Sequence, residues 1–324
     1  MKKVLLSSLM LATIGLSAQA PVTPPVTTAP KLSQDNAVDK AVMSAQNSLV
    51  DKLTTAPAEG STDWHIVGQH SFMLNQASFS NWIAGGANFV GWVANVNYNA
   101  TYQKDKELWE NIAILGYGQT NTQGIGMRKS QDIINLSSNY GYKMMGNWYY
   151  SVGGQFLTQF TEGFTPSQVK LSNFMAPAYL NLGIGFTYKP DANFSATIRP
   201  LNARWTFVMD SDLQKAGNYG LKNNGDSSVF QLGFLAMAMY RVQLMENVTL
   251  LNNASVFSNY LDHPERLVMS YSGILNMKVN DYISTMLTLD LLYDHNQIQK
   301  LQAKQTLSVG LAYTLKHGSF PATK

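Results

Sequence analysis

Gly91-Trp92-Val93-Ala94-Asn95-Val96-Asn97-Tyr98-Asn99-Ala100-Thr101-Tyr102-Gln103 is the stretch whose reading decides the fold. Trp92, Ala94, Val96, Tyr98, Ala100 and Tyr102 take every second position. Between them, Val93 apart, stand Asn95, Asn97, Asn99, Thr101 and Gln103. Successive side chains of a strand point to opposite faces. This segment therefore has one apolar, aromatic-rich face and one face of uncharged polar groups. That is the alternation of a strand in a membrane barrel wall, apolar toward lipid and polar toward the lumen.

The pattern recurs outward from there. Trp148, Tyr150, Val152, Phe156 and Phe160 oppose Ser151, Gln155 and Gln159; Leu180, Leu182, Ile184, Phe186 and Tyr188 oppose Asn181, Thr187 and Lys189. Leu287, Leu289, Leu291 and Tyr293 oppose Thr288, Asp290 and Asp294. Leu307, Val309, Leu311 and Tyr313 oppose Lys304, Thr306, Ser308 and Thr314. The 248–260 segment is ambiguous by face, which suggests a bulge. Spans are expected at 64–76, 88–103, 108–120, 130–143, 148–160, 176–189, 193–208, 228–242, 248–260, 266–279, 282–294 and 302–316. The fold class expected is an all-β, transmembrane, antiparallel up-and-down barrel of about twelve strands, since each segment reaches the 9–11 residues a tilted span needs and an even number closes the ring. Past the N-terminal segment the longest run without a polar side chain is Leu232 to Met239, too short for a helical span.

Connection lengths and composition agree with this reading. The links Lys104 to Glu107, Met144 to Asn147, Pro190 to Ala192, Gln243 to Asn247 and Asn280 to Asp281 are short and alternate with longer ones, notably Thr161 to Met175 and Met209 to Ser227. Barrels of bacterial outer membranes have short periplasmic turns and long external loops, so both termini are expected in the periplasm. Tyr102 and Trp109, Tyr142 and Trp148, and Tyr188 and Phe194 crowd the short turns, where an aromatic girdle belongs. A soluble β-sandwich also buries one face per strand, but gives no reason for alternating loop lengths. Charged residues are 13% of the chain, against about 25% in soluble domains. A net charge of +3, two of it from Lys2 and Lys3, indicates no nucleic-acid partner.

The N-terminal region reads differently. Lys2-Lys3, an apolar run from Val4 to Leu16 and Ser17-Ala18-Gln19-Ala20 make residues 1–20 a secretory signal peptide. A cut after Ala18 or Ala20 fits, and Pro21 disfavours the second. The absence of cysteine excludes a lipid anchor, disulfides and thiolate metal sites. Residues 21–60 are a tether. Pro21, Pro24, Pro25 and Pro30 alternate with Val and Thr, and Ser33 to Leu53 has the thin apolar face of a marginal periplasmic helix. The barrel is expected over 61–318.

One motif is more specific. Asn75-Gln76-Ala77-Ser78-Phe79-Ser80-Asn81-Trp82, followed by Ala84-Gly85-Gly86 and Asn88, resembles the opening signature of a Bacteroidota outer-membrane family known as domain of unknown function 3078. Phe257-Ser258-Asn259-Tyr260-Leu261 with Pro264, Tyr293-Asp294 and Gly310-Leu311-Ala312-Tyr313 fit the same family. The resemblance covers residues 64 to 316 and implies location and fold. It implies no chemistry.

Nothing in the chain points to an enzyme or a cofactor. His65, His70, His263, His295 and His317 have no accompanying nucleophile elbow or metal spacing. Asp294-His295 reads as a polar strand end, because adjacent strand residues face opposite ways. The candidate constriction or cap is the first loop, with Asn75, Gln76, Phe79, Asn81, Trp82, Gly85 and Gly86; its glycine pair permits a sharp fold. The candidate lumen lining is Asn95, Asn97, Asn99, Lys143, Lys189, Arg199, Lys278, Asp290, Asp294 and Lys304, in which bases outnumber acids and anions are mildly favoured. Two functions follow as expectations. One is a narrow passive channel for small polar or anionic solutes in the cell outer membrane. The other is a structural or assembly subunit that docks envelope partners through the tether and loops. Outer-membrane lipid is the expected surrounding in both.

Overall fold

The computed structural model describes residues 64–78, 80, 87–165, 168–191, 193–222, 225–280, 283–295 and 298–317. The signal peptide and tether expected within residues 1–60 lie outside these. In chain order the elements are β1 (Trp64–Ala77), β2 (Phe89–Lys104), β3 (Glu107–Thr122), β4 (Gly126–Met145) and β5 (Trp148–Thr158), then the short β6 (Gly163–Phe164) and β7 (Lys170–Ser172). There follow β8 (Ala178–Tyr188), β9 (Phe194–Phe207), the helix α1 (Ser211–Lys215), β10 (Ser228–Met245), β11 (Val248–Asn259), β12 (Val268–Lys278), β13 (Ile283–Asp294) and β14 (Ile298–His317). Among the described residues twelve strands, all but β6 and β7, form one closed antiparallel barrel. β5 pairs with β8, and β14 returns to β1 in the register Ile66↔His317 to Met73↔Gly310. Closure leaves no strand edge unpaired, the condition for sheet to stand in lipid.

The two ends of the ring differ as the connection lengths predict. At the end that carries β1's start, Asp105–Lys106, Gly146–Asn147 and Glu246–Asn247 are two-residue turns. Asp105 (φ 50°) and Gly146 (φ 56°) adopt the left-handed conformation that such hairpins demand. The carbonyls of Lys106, Asn147 and Asn247 accept hydrogen bonds from the amides of Lys143 (2.7 Å), Lys189 (2.9 Å) and Lys278 (2.8 Å), which ties each turn to the next strand. Rings circle this end: Trp64 lies 5.4 Å from Tyr102, Trp148 5.0 Å from Tyr188 and Phe194 6.4 Å from Tyr240. The opposite end carries the long loops of residues 159–177 and 208–227. Two links there are shorter than expected, since β4 already begins at Gly126 and β14 at Ile298.

The outer face is apolar around the ring. Phe72, Leu74, Val90, Leu182, Ile184, Leu307 and Val309 are all exposed and all point away from the lumen. A continuous wall of this kind is tolerated in contact with lipid, not with water. The interior departs from the pattern of β2. Leu108, Ile114, Ile133, Leu157, Ile274 and Leu292 occupy inward positions and are buried among polar neighbours. A narrow ring fills its interior with side chains, and apolar ones serve there as well as amides. β11 is continuous against β12; the irregularity expected within it lies in its partner β10, between Gln243 and Met245.

Candidate functional site

The interior is built from side chains that reach across strands where glycine leaves room. A Cβ on Gly116 would lie 2.4 Å from Gln131 Nε2 and 2.7 Å from Asn95 Oδ1. Over this gap Gln131 donates to Asn95 Oδ1 at 2.8 Å, and Asn95 Nδ2 reaches Ser71 Oγ at 3.3 Å. Gln155 Nε2 similarly donates to Asn135 Oδ1 at 3.1 Å. The amides read from β2 do face inward. Asn95 and Asn97 are buried and Asn99 is half-buried, accepting from Thr101 Oγ1 at 3.1 Å.

The charged candidates separate into three situations. Lys143 and Lys278 occupy inward positions but are exposed, at the end with the short turns. Lys189 Nζ is paired with Glu110 Oε1 at 2.5 Å across the intervening strands. Asp290 is buried, accepts from Ser272 Oγ at 2.6 Å, and stands opposite Lys304 in the β13–β14 register; Asp294 is buried one inward position beyond Leu292. Arg199 is buried with only 6% exposure, and its Nη2 donates to Asn139 Oδ1 at 3.1 Å.

Arg199 owes its position to a bulge. Phe186 pairs with Ile198 and Ile184 with Leu201, so Arg199 and Pro200 together oppose Gly185. Ile198 and Leu201 thus both face outward, while Arg199 and Asn202 both face the lumen. Proline is tolerated at a bulge because its missing N–H breaks no ladder bond. The backbone approach there is very close: a Cβ on Gly185 would sit 1.9 Å from the Ile198 carbonyl oxygen.

Sequence reading missed several inward charges, among them Glu110, Arg128, Arg204 and Arg241. Arg204 lies 4.9 Å above the Tyr179 ring and 5.8 Å from that of Phe257, a stacking partnership no periodicity reveals. For Arg199's surroundings a signal did exist, in Pro200 within a strand and in Gly153, Gly183 and Gly185 at lumen-facing positions of adjacent strands. The first-loop candidates divide. Asn75 and Gln76 are not loop residues. β1 continues through them, with Asn75 opposite Gly91 and Gln76 opposite Val90, because ladder pairing to β2 persists that far. Phe79, Asn81, Trp82, Gly85 and Gly86 lie outside the described residues.

A second structure at this end comes from loops distant in sequence. Ala176, Val208, Leu213, Tyr219 and Leu221 form a small apolar core that rests on Val229, an inward position of β10. Asp210 organises it. Its Oδ1 accepts from the amides of Asp212 (3.0 Å) and Leu213 (3.2 Å) and caps α1, while Oδ2 accepts from Asn173 Nδ2 (2.9 Å) and Lys170 Nζ (3.1 Å). Burial pushes the Asp210 carboxyl up, but the bonds from Asn173, Leu213 and Lys170 outweigh it and hold the group below its ordinary value. The hydrogen bond to Asp210 in turn raises the Lys170 ammonium. The Tyr219 hydroxyl donates to the Leu171 carbonyl, and Met209 N to the Met175 carbonyl at 2.9 Å, which joins the two loops into one cap. Asp132 anchors its start by accepting from the amides of Phe160 (2.7 Å) and Thr161 (3.0 Å).

Comparison with known proteins adds the following. The chain is similar to the crystal structure of an outer membrane channel from Pseudomonas putida F1, with 12% identity, a TM-score of 0.39, and coverage of 81% of this chain and 100% of that one. It is also similar to the translocator domain of autotransporter NalP from Neisseria meningitidis (10% identity, TM-score 0.36, 85% and 98% covered) and to the NanC porin (10%, 0.35, 76% and 98%). No curated protein matches. Residues 74–164, from the last residues of β1 through β6, match the family described as Protein of unknown function (DUF3078).

Proposed function

We propose that the chain is an exported outer-membrane barrel with both termini in the periplasm, acting as a narrow passive channel for small polar or anionic solutes and catalysing nothing. One observation carries this reading. Among the described residues several buried inward groups have no protein partner: Asn135 Nδ2, Ser151 Oγ, Arg199 Nε and both ends of the Asn202 amide. Each such group sealed from water costs about 1–3 kcal/mol. A barrel serving only as a structural post would avoid that cost with apolar side chains of similar size. A narrow aqueous path satisfies these groups with water or solute. The loop cap at the rim and the filled mid-section make that path narrow.

Purified full-length protein in a planar bilayer is expected to give small, discrete conductance steps at single-channel resolution. A correctly folded barrel that passes no current at any voltage overturns the reading. Phe164, Val169, Phe174 and Met209, apolar and exposed on the cap, favour the docking function as a second reading. In that case crosslinking on cells through these positions captures an envelope protein, and the bilayer stays silent.

A further inference from the structure

Arg199 differs from the other described lumen charges discussed above. Lys189 has Glu110, and Asp290 has Ser272 beside it. Arg199 is buried, yet among the described residues its one side-chain partner is a neutral amide oxygen, and its Nε is unpartnered. A desolvated guanidinium with no counter-charge is unfavourable unless something anionic joins it.

The donors for such a group are present. A Cβ on Gly153 would lie 2.0 Å from Arg199 Nη2, and one on Gly183 would lie 2.8 Å from Arg199 Cδ. The guanidinium arm therefore lies over a floor of glycines. Asn202, fully buried with its amide unpartnered at both ends, shares that floor, its Oδ1 lying 2.7 Å from the same Gly183 Cβ position. Ser151, buried and with its hydroxyl unpartnered, stands opposite Gly185 in the register and two residues from Gly153 on the inward face. The planar fork of a guanidinium matches the oxygens of an oxyanion, and an amide N–H and a hydroxyl are the neutral donors that complete its shell.

We propose that Arg199, with Asn202 and Ser151, forms an oxyanion-binding site inside the barrel, and that Arg199 sets the preference of the passage for anions. This deepens the channel reading and rests on it for the second half only. The site takes a small oxyanion of the phosphate or carboxylate class. Arg199 is the specificity-determining residue, and Gly153 keeps the guanidinium in place.

The test uses the full chain in detergent and in bilayers, with inorganic phosphate as the probe. Thermal unfolding is followed by loss of β circular dichroism in phosphate and in chloride at matched ionic strength. Wild type is expected to be stabilised by phosphate over chloride. In Arg199→Gln the half-saturating phosphate concentration rises at least about tenfold, the loss of one charge-assisted hydrogen bond. Gly153→Ala retains the charge but displaces the fork, and gives the same loss; it keeps the test decisive if Arg199→Gln fails to fold. In bilayers the reversal potential under a salt gradient moves from anion-selective toward non-selective in both variants. Equal phosphate stabilisation of wild type and both variants, or none in wild type, overturns the site. A silent bilayer with an intact Arg199-dependent phosphate effect defeats the channel reading and leaves the site standing. Conduction with no phosphate effect does the reverse.

Discussion

Gly185 and Gly153 face the same lumen from adjacent strands, yet a methyl group at each meets a different neighbour. At Gly185 the obstacle is backbone, the Ile198 carbonyl oxygen at 1.9 Å and Arg199 Cα at 2.8 Å. At Gly153 it is the ends of two hydrogen-bonded side chains, Arg199 Nη2 at 2.0 Å and Asn139 Oδ1 at 2.6 Å. Gly185→Ala therefore has to move the Arg199–Pro200 bulge, at a cost of about 1–3 kcal/mol typical of overpacking, while Gly153→Ala displaces two side-chain ends and leaves the backbone in place. Urea midpoints of the two variants refolded in detergent are expected to fall below wild type for both, and further for Gly185→Ala than for Gly153→Ala. The reverse order would show that the bulge is not the rigid element. This scale was the least legible in the sequence. Period-two reading places Arg199 and Asn202 on opposite faces, and the inserted residue at Pro200 puts them on the same one. In β3 the run Ile112-Ala113-Ile114-Leu115 is apolar on both faces, so alternation alone does not say that Ile114 fills the lumen.

At the scale of elements, the strands were legible and the cap was not. Alternation over β2, β5, β8 and β13 needs only local order, because each residue's face follows from its neighbour's. The cap requires residues 159–177 and 208–227 to meet, which no local pattern encodes, and the sequence marked them only as long connections. Their meeting hangs on Asp210, which bonds to β7 and its following turn through Lys170 and Asn173 and caps α1. Because the folded state holds this carboxyl below its ordinary value, its contribution to cap stability is fully present above about pH 4, the unfolded value, and is lost as pH falls through the depressed folded value. A spin label at Lys215→Cys is expected to stay immobilised at neutral pH and to become mobile as pH drops well below that range. With Asp210→Asn added, the label is mobile throughout. A pH-independent spectrum in the Asp210 background would remove the carboxylate from its organising role.

At the scale of the whole molecule, closure and the difference between the two ends carry the argument. The ring closes through β1 and β14, so the short turns, the start of β1 and the end of β14 share one end and the cap occupies the other. Alternating connection lengths made this legible before any coordinates, since a short turn joins only antiparallel neighbours at the same end. The orientation proposed above rests on the rule that long loops are external and short turns periplasmic. It is tested with single cysteines in this cysteine-free chain. Gly217→Cys lies in the cap and Asp105→Cys in a two-residue turn, both with positive φ, where cysteine is strained but the loop can relax. An impermeant maleimide on intact cells is expected to label Gly217→Cys and to leave Asp105→Cys unmodified until the outer membrane is permeabilised. Labelling of Asp105→Cys alone on intact cells inverts the barrel, and equal labelling of both before permeabilisation removes the chain from the membrane altogether.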